Sequence, residues 1–196
     1  MWDERYSDEE YAYGTEPNDF LVEAAHYLPS GRILCIGEGE GRNSVWLAEQ
    51  GFQVTALDSS SVGLEKAQRL ARSRSVRIET VHADLAKYSF EEESWDGIVS
   101  IFCHLPPDLR QKVHRALIRA LRPGGVLVLE AYTPGQLQLG TGGPPVREMM
   151  MDLESLEAEL QGLNFAHGKE LERPVHEGKY HSGMGSVVQI VGIKPA

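Results

Sequence analysis

The chain has 196 residues, 41% of them apolar, with 19 basic and 29 acidic side chains and a formal charge of −10. This is enough for one well-filled core and too hydrophobic for a disordered chain. The acidic balance excludes a general phosphate-backbone binder, which needs a basic face. Two cysteines, Cys35 and Cys103, exclude a disulfide framework and a CxxC zinc site.

The acidic start MWDERYSDEE is the reverse of a presequence, and no apolar run reaches membrane-spanning length, so a cytoplasmic protein is expected. The expected partners are a small-molecule substrate, no nucleic acid and no membrane, with the chain a monomer or weak dimer. No histidine or cysteine pair has metal-ligand spacing on one element.

Taken in chain order, RILCIG (32–37) is a strand closed by glycine, followed by a helix that stops at Gly51. FQVTALD (52–58) is a second strand, and Ser59 to Ser61 cap a helix burying Leu64, Ala67, Leu70 and Ala71. SVRIETVHAD (75–84) and WDGIVSIF (95–102) are strands three and four. A helix with Leu109, Val113, Ala116, Leu117, Ala120 and Leu121 runs to Arg122-Pro123-Gly124-Gly125. GVLVLEAY (125–132) is strand five, apolar on both faces. After the long loop 133–151 come a helix with Leu153, Leu156, Leu160 and Leu163 and two strands, 165–175 and 186–193. About ten residues without a helix separate those last strands, which makes them an antiparallel hairpin. The expected fold is α/β: a doubly wound, mostly parallel, seven-stranded Rossmann-like sheet with a C-terminal antiparallel hairpin.

Chemistry begins at ILCIGEGEGRN (33–43), where Gly37, Gly39 and Gly41 lie between a strand and a helix N-terminus. A dinucleotide turn would place its third glycine at 42, where this chain has Arg42. The spacing points to a cofactor without a pyrophosphate. Asp58, at the carboxyl end of strand two, is placed to accept ribose hydroxyls, with a helix cap as the alternative. Asp84 after strand three suits an adenine amino group, with the Leu85 N–H on a ring nitrogen; a turn aspartate is the plain alternative.

These residues carry a resemblance. GEGEGRNS, LAEQGFQVTALD, HADL, WDGIVS and LRPGGVLVLE look like the ordered motifs of class I S-adenosylmethionine-dependent methyltransferases. GRNS with the spacing to Asp58, and the N-terminal Y-x-Y-G-x-x-P-N-x-F pattern, are similar to the tellurite-resistance and thiopurine methyltransferase branch. The resemblance implies one domain over 1–196: a lid segment (1–29), a cofactor-binding half (30–132) and a substrate-side loop, helix and hairpin (133–196). It implies cofactor contacts from Tyr13, Gly37, Glu38, Gly39, Gly41, Arg42, Asn43, Asp58, Ser59, Asp84, Leu85 and Ser100. Tyr6, Tyr11 and Phe20 are further lid candidates, with an amphipathic helix on the sheet edge as the alternative. The family's usual acid two residues before the first glycine is Cys35 here, and Glu38 is a candidate replacement.

Phe102-Cys103-His104-Leu105-Pro106 lacks the tetrapeptide that goes with methylation of nucleic-acid bases, and two cysteines are too few for arsenite chemistry. A thiol or chalcogen acceptor, which needs little help from a base, is the first expectation. Oxygen or nitrogen methylation, a non-catalytic cofactor-binding protein and a nicotinamide oxidoreductase are the alternatives. His104, after strand four, and His181, in EGKYHSG (177–183), are candidate catalytic residues; each is otherwise a structural histidine. His114 and His167 read as structural. The Met149 to Met151 cluster reads as helix-start packing rather than pocket lining, and GTGGPP (140–145) as a substrate lid.

Overall fold

The computed structural model describes all residues, 1–196. Seven strands form one sheet in the order β3-β2-β1-β4-β5-β7-β6. They are β1 (Arg32–Ile36), β2 (Gln53–Asp58), β3 (Glu79–His82), β4 (Trp95–Ile101), β5 (Leu121–Tyr132), β6 (Asn164–Glu177) and β7 (His181–Ile193). The helices are α1 (Trp2–Arg5), α2 (Asp19–Ala24), α3 (Arg42–Glu49), α4 (Ser61–Ser73), α5 (Pro107–Ala120) and α6 (Leu153–Glu159). The expected fold class is observed. β1 to β5 are parallel where they pair, and β7 runs antiparallel to both β5 and β6.

Alternation along β1 divides the core. Ile33 and Cys35 face α2, α3 and α4, while Leu34 and Ile36 face α5 and α6. Cys35 is fully buried and its thiol is pushed well up by that burial, so it is a packing residue.

Four boundaries differ from the sequence expectation. Strand five begins at Leu121 instead of 125, because Leu121 leaves α5 in an extended conformation and pairs with Trp95 ahead of the Arg122–Gly125 irregularity. Strand three begins at Glu79 instead of 75, because Ser75 adopts a left-handed φ of 59° and its N–H, with that of Val76, closes the end of α4. The last helix stops at Glu159, because the chain turns through Gly162 at φ 106° and Leu163 packs beside Gly192 instead. The terminal hairpin extends much further, leaving three connecting residues, 178–180, where about ten were expected. Long paired strands bring β6's end and β7's start to the same sheet edge as the ends of β1, β2, β4 and β5.

The loop after β5 is held down at its far end. The Arg110 guanidinium donates to the carbonyls of Glu148 and Met150 while forking onto Glu159. Met150 and Met151 are buried and Met149 is half-buried, with Met150 also lining the cavity beneath the 140–145 loop.

Candidate active site

The carboxyl edge of the sheet holds two adjoining groups of residues. On one side lies the glycine turn. Gly37 and Gly39 have φ of 59° and 62°, a region open to glycine. A side chain at Gly37 would strike the Cys103 sulfur, and one at Gly39 would strike the Tyr6 hydroxyl. Asp58 Oδ2 accepts the Gly39 N–H at 2.8 Å and Oδ1 accepts the Ser60 N–H at 2.7 Å, so the acid orders both the turn and the entry to α4. Burial raises the Asp58 pKa, and those N–H groups oppose the shift. Helix capping at α4 itself falls to Ser60, whose hydroxyl accepts the Gly63 N–H.

Glu38 Oε1 accepts the N–H groups of Asn43 and Ser44 at 3.0 and 2.7 Å, at the start of α3. Burial pushes its pKa up to about 7, against those donors. Asn43 accepts the Asn18 N–H through Oδ1. Asp84 is exposed, with Oδ1 on the Ala86 N–H, the geometry of a turn aspartate; Leu85 is half-buried beside it. Ser59 is exposed at the end of β2, and Ser100 is buried in β4 opposite Ile36.

A strap, residues 6–14, crosses this turn. Lys66 donates to the carbonyls of Tyr6, Asp8 and Glu10 and pairs with Glu40 at 2.5 Å. Glu40 Oε2 in turn accepts the Ala12 N–H at 2.8 Å. Tyr6 is buried against Gly39 and Gly63, whereas Phe20 is a core residue under α2. Tyr11 lies over Lys66 and donates to its carbonyl. The N-terminal segment is thus part strap and part core helix. Lys66 and Glu40 were missed in the sequence; the signal was a lysine on the apolar stripe of α4.

The second group lies at the ends of β4, β5 and the hairpin. Phe102 takes a left-handed φ of 52°, uncommon for a bulky residue, and stacks on Tyr132 at 4.4 Å. His181 meets Tyr13, Phe102 and Tyr132 at ring separations of 4.7, 4.9 and 5.2 Å. Behind His181 Nδ1 stands Glu177 Oε2 at 3.5 Å. Burial would raise Glu177, but Arg42, His181 and Asn18 outweigh it and hold its pKa down to about 2. Burial lowers the His181 pKa, with Glu177 opposing, which keeps the ring neutral near pH 7.

This wall rests on a buried polar network. Arg42 Nη2 donates to Glu177 at 2.6 Å, so its guanidinium is directed at the end of β6 and away from the turn it follows. Asn18 Nδ2 bridges Glu130 and Glu177 at 2.6 and 2.8 Å, and Arg173 forks onto Glu130. Gln189 completes the shell of the fully buried Glu130. Asn18 also caps α2, so the Pro-Asn of the N-terminal pattern ties the strap's end to both groups. Glu130, a charge inside an apolar strand, was the legible signal for this network.

His104 does not fit the proton-accepting role. Its Nδ1 bonds the Met149 carbonyl and its Nε2 accepts the Tyr132 N–H, so both nitrogens are used. Burial pushes its pKa down to about 4. It is a neutral brace between the loop and β5. Cys103 is likewise no nucleophile, its thiol being pushed up to about 12 by burial.

Comparison with known proteins bears on this arrangement. Residues 33–125, just under half of the chain, match a family model described as a methyltransferase domain. This stretch, from β1 to Gly125 in β5, resembles a methyltransferase domain. Two relatives are the demethylmenaquinone methyltransferase of Clavibacter sepedonicus and the glycine/sarcosine N-methyltransferase of Halorhodospira halochloris. The first is 35% identical over 53% of this chain and 42% of its own length; the second is 31% identical over 66% and 47%. The chain therefore spans about half the length of these curated relatives.

Solved structures share the fold at lower identity. One, from work on conversion of a disulfide bond into a thioacetal group in echinomycin biosynthesis, has a TM-score of 0.78 at 20% identity. It covers 98% of this chain and 88% of that one. TehB from Haemophilus influenzae has a TM-score of 0.74 at 18% identity, covering 98% and 65%. S-adenosylmethionine is the cofactor that the methyltransferase domain implies. The residues present fit it: a bare glycine turn, a buried acid at the end of β2 and an aromatic strap above them. No helix is long and apolar enough to cross a membrane.

Proposed function

We propose that the chain transfers a methyl group from S-adenosylmethionine to a small molecule seated among Tyr13, Phe102, Tyr132 and His181. The observation that carries this reading is the shared sheet edge: the glycine turn with Asp58 adjoins an aromatic cluster whose histidine is backed by a carboxylate. The single unit 1–196, with its N-terminal segment as a lid, belongs to the same reading.

Gly37 to Gly41 hold the amino-acid end of the cofactor, Asp58 the ribose, and the Asp84–Leu85 turn the adenine, with Ser59 and Ser100 at the margins. When bound, S-adenosylmethionine supplies a methyl group already activated on a sulfonium, so the carbon passes to the acceptor's lone pair and the bonding electrons return to sulfur. The rest falls to this chain. The rings of Tyr13, Phe102 and Tyr132 exclude water and favour a nearby cation. Glu177 fixes the Nδ1–H tautomer of His181, leaving Nε2 to take the acceptor's proton. Alignment of this kind is worth about 7–11 kcal/mol in favourable cases.

A thiol or chalcogen compound is the acceptor class that needs least from that base. The His181–Glu177 pair favours a second reading, an oxygen or nitrogen nucleophile that must lose a proton. Two relatives are named for nitrogen acceptors, phosphoethanolamine and glycine/sarcosine, which adds to the second reading.

The test is calorimetric titration with S-adenosylhomocysteine, with NAD as the control, followed by matched thiol, phenol and amine acceptors. Micromolar binding of S-adenosylhomocysteine alone supports the reading, and binding of NAD alone overturns it. Faster turnover of thiols selects the first acceptor class; faster turnover of amines or phenols selects the second.

A further inference from the structure

Two buried hydrogen-bonding groups in the acceptor wall have no partner. The Arg42 guanidinium spends Nη2 on Glu177, but Nη1 is buried without an acceptor. The Tyr132 hydroxyl is also buried and unmatched, on a fully buried residue. Native interiors pair nearly all such groups, because a buried donor without an acceptor has lost its water for nothing in return.

Their neighbourhood is shared. A side-chain carbon placed on Gly142 would lie 3.0 Å from Tyr132 Oη and 2.9 Å from His181 Cδ2, so the hydroxyl borders the histidine under the Gly140–Pro145 loop. Arg42 joins through Glu177, which it shares with His181. Arg42 also lowers the pKa values of both Tyr132 and His181. Arg42 and Arg173 pair with Glu177 and Glu130, and Arg5, bonded to the Tyr13 hydroxyl, adds a further cation that acts on His181. Burial raises the Tyr132 pKa, so the phenol stays a donor.

We infer that the acceptor carries a carboxylate, held by Arg42 Nη1 and the Tyr132 hydroxyl, with its nucleophile toward His181. This rests on the methyltransferase reading and gives it a substrate class. A guanidinium N–H and a phenol match an anionic oxygen better than a neutral one, since charge-assisted bonds are roughly twice as strong. Gly142 lets the loop close directly on the hydroxyl, and the loop must lift to admit the acid.

The experiment titrates the protein, saturated with S-adenosylhomocysteine, with mercaptoacetate and 2-mercaptobenzoate, each beside its methyl ester. Tyr132→Phe removes one oxygen, and Arg42→Lys keeps a cation for Glu177 while removing Nη1. The acids are expected to bind at least tenfold tighter than their esters. That ratio should fall to about one in both variants, with S-adenosylhomocysteine affinity within twofold of wild type. Equal binding of acid and ester, no binding of either acid, or an acid preference that survives both variants overturns the inference. A tenfold loss of S-adenosylhomocysteine affinity in Arg42→Lys overturns it as well, by assigning the donors to the cofactor's own carboxylate. Failure of the wild type to bind S-adenosylhomocysteine instead removes the methyltransferase reading beneath it.

Discussion

The turn side and the acceptor side of the edge are built on different plans. At the turn, positions close in sequence meet: Glu38 bonds Asn43 and Ser44, Asp58 bonds Ser60, and Asp58 reaches Gly39 across 19 residues. At the acceptor wall, Asn18 bonds Glu130 and Glu177 across 112 and 159 residues, and Arg42 meets Glu177 across 135. In the proposed function, local geometry would serve a cofactor whose shape is fixed, and a wall assembled from distant segments, which can be varied one segment at a time, would serve the acceptor.

The largest effect expected from this contrast is on stability. Lys66→Met removes the only cation on Glu40 and three carbonyl contacts to the strap. Breaking a buried pair from one side costs about 3–5 kcal/mol, read by urea denaturation, and adding Glu40→Gln should restore part of it. A loss below 1 kcal/mol would show that the strap is not fastened there.

His181→Ala probes the other side. Turnover on the best acceptor should fall roughly 10²–10⁴-fold while S-adenosylhomocysteine affinity stays within twofold. Unchanged turnover removes the base, and a parallel loss of cofactor affinity dissolves the division between the two sides. Asp58→Ala should act the opposite way. It weakens S-adenosylhomocysteine binding by roughly 1.5–3 kcal/mol for each charged bond lost, and calorimetry would detect its absence.

The smallest effect is on pH dependence. His181 must be neutral to accept a proton, and its pKa is lowered, so kcat/KM should be flat at neutrality and fall only as pH drops below 6.5. Stability follows the same sign. Between the lowered folded pKa values and 6.5 the unfolded chain binds more protons at the two histidines, so their contribution to stability declines as pH falls from 6.5 to about 4, where His104 itself titrates, while Glu38, raised to about 7, contributes with the opposite sign between 7 and 4.5. His104→Gln should flatten part of that slope in denaturation curves taken across the window.

The same contrast explains what could be read from the sequence. The strand-turn-helix start and Asp58 were legible because their signal lies within some thirty residues and follows from backbone geometry. Apolar alternation located every strand, erring where Ser75 closed a helix and where the hairpin outran its apolar part into residues such as His176 and Ser182. Of the buried network only Glu130, a charge inside an apolar strand, was legible. Glu177, Arg173 and Asn18 are polar residues in polar stretches, and only the folded sheet removes them from water. His104 and His181 look alike in sequence. Only the partners of their ring nitrogens separate a brace from a base.

The hairpin tip has a further consequence. The Lys179 N–H donates to the Ala12 carbonyl at 2.9 Å, and Gly178 lies against Tyr13 and Gly14 with no room for a side chain. One seam therefore joins the strap over the turn to the aromatic cluster. In the proposed methyl transfer, spent cofactor and methylated product would leave through the same parting of that seam, so their departures would be linked in time. The frequency with which a single hydrogen bond and its glycine contact give way would then be a ceiling on turnover.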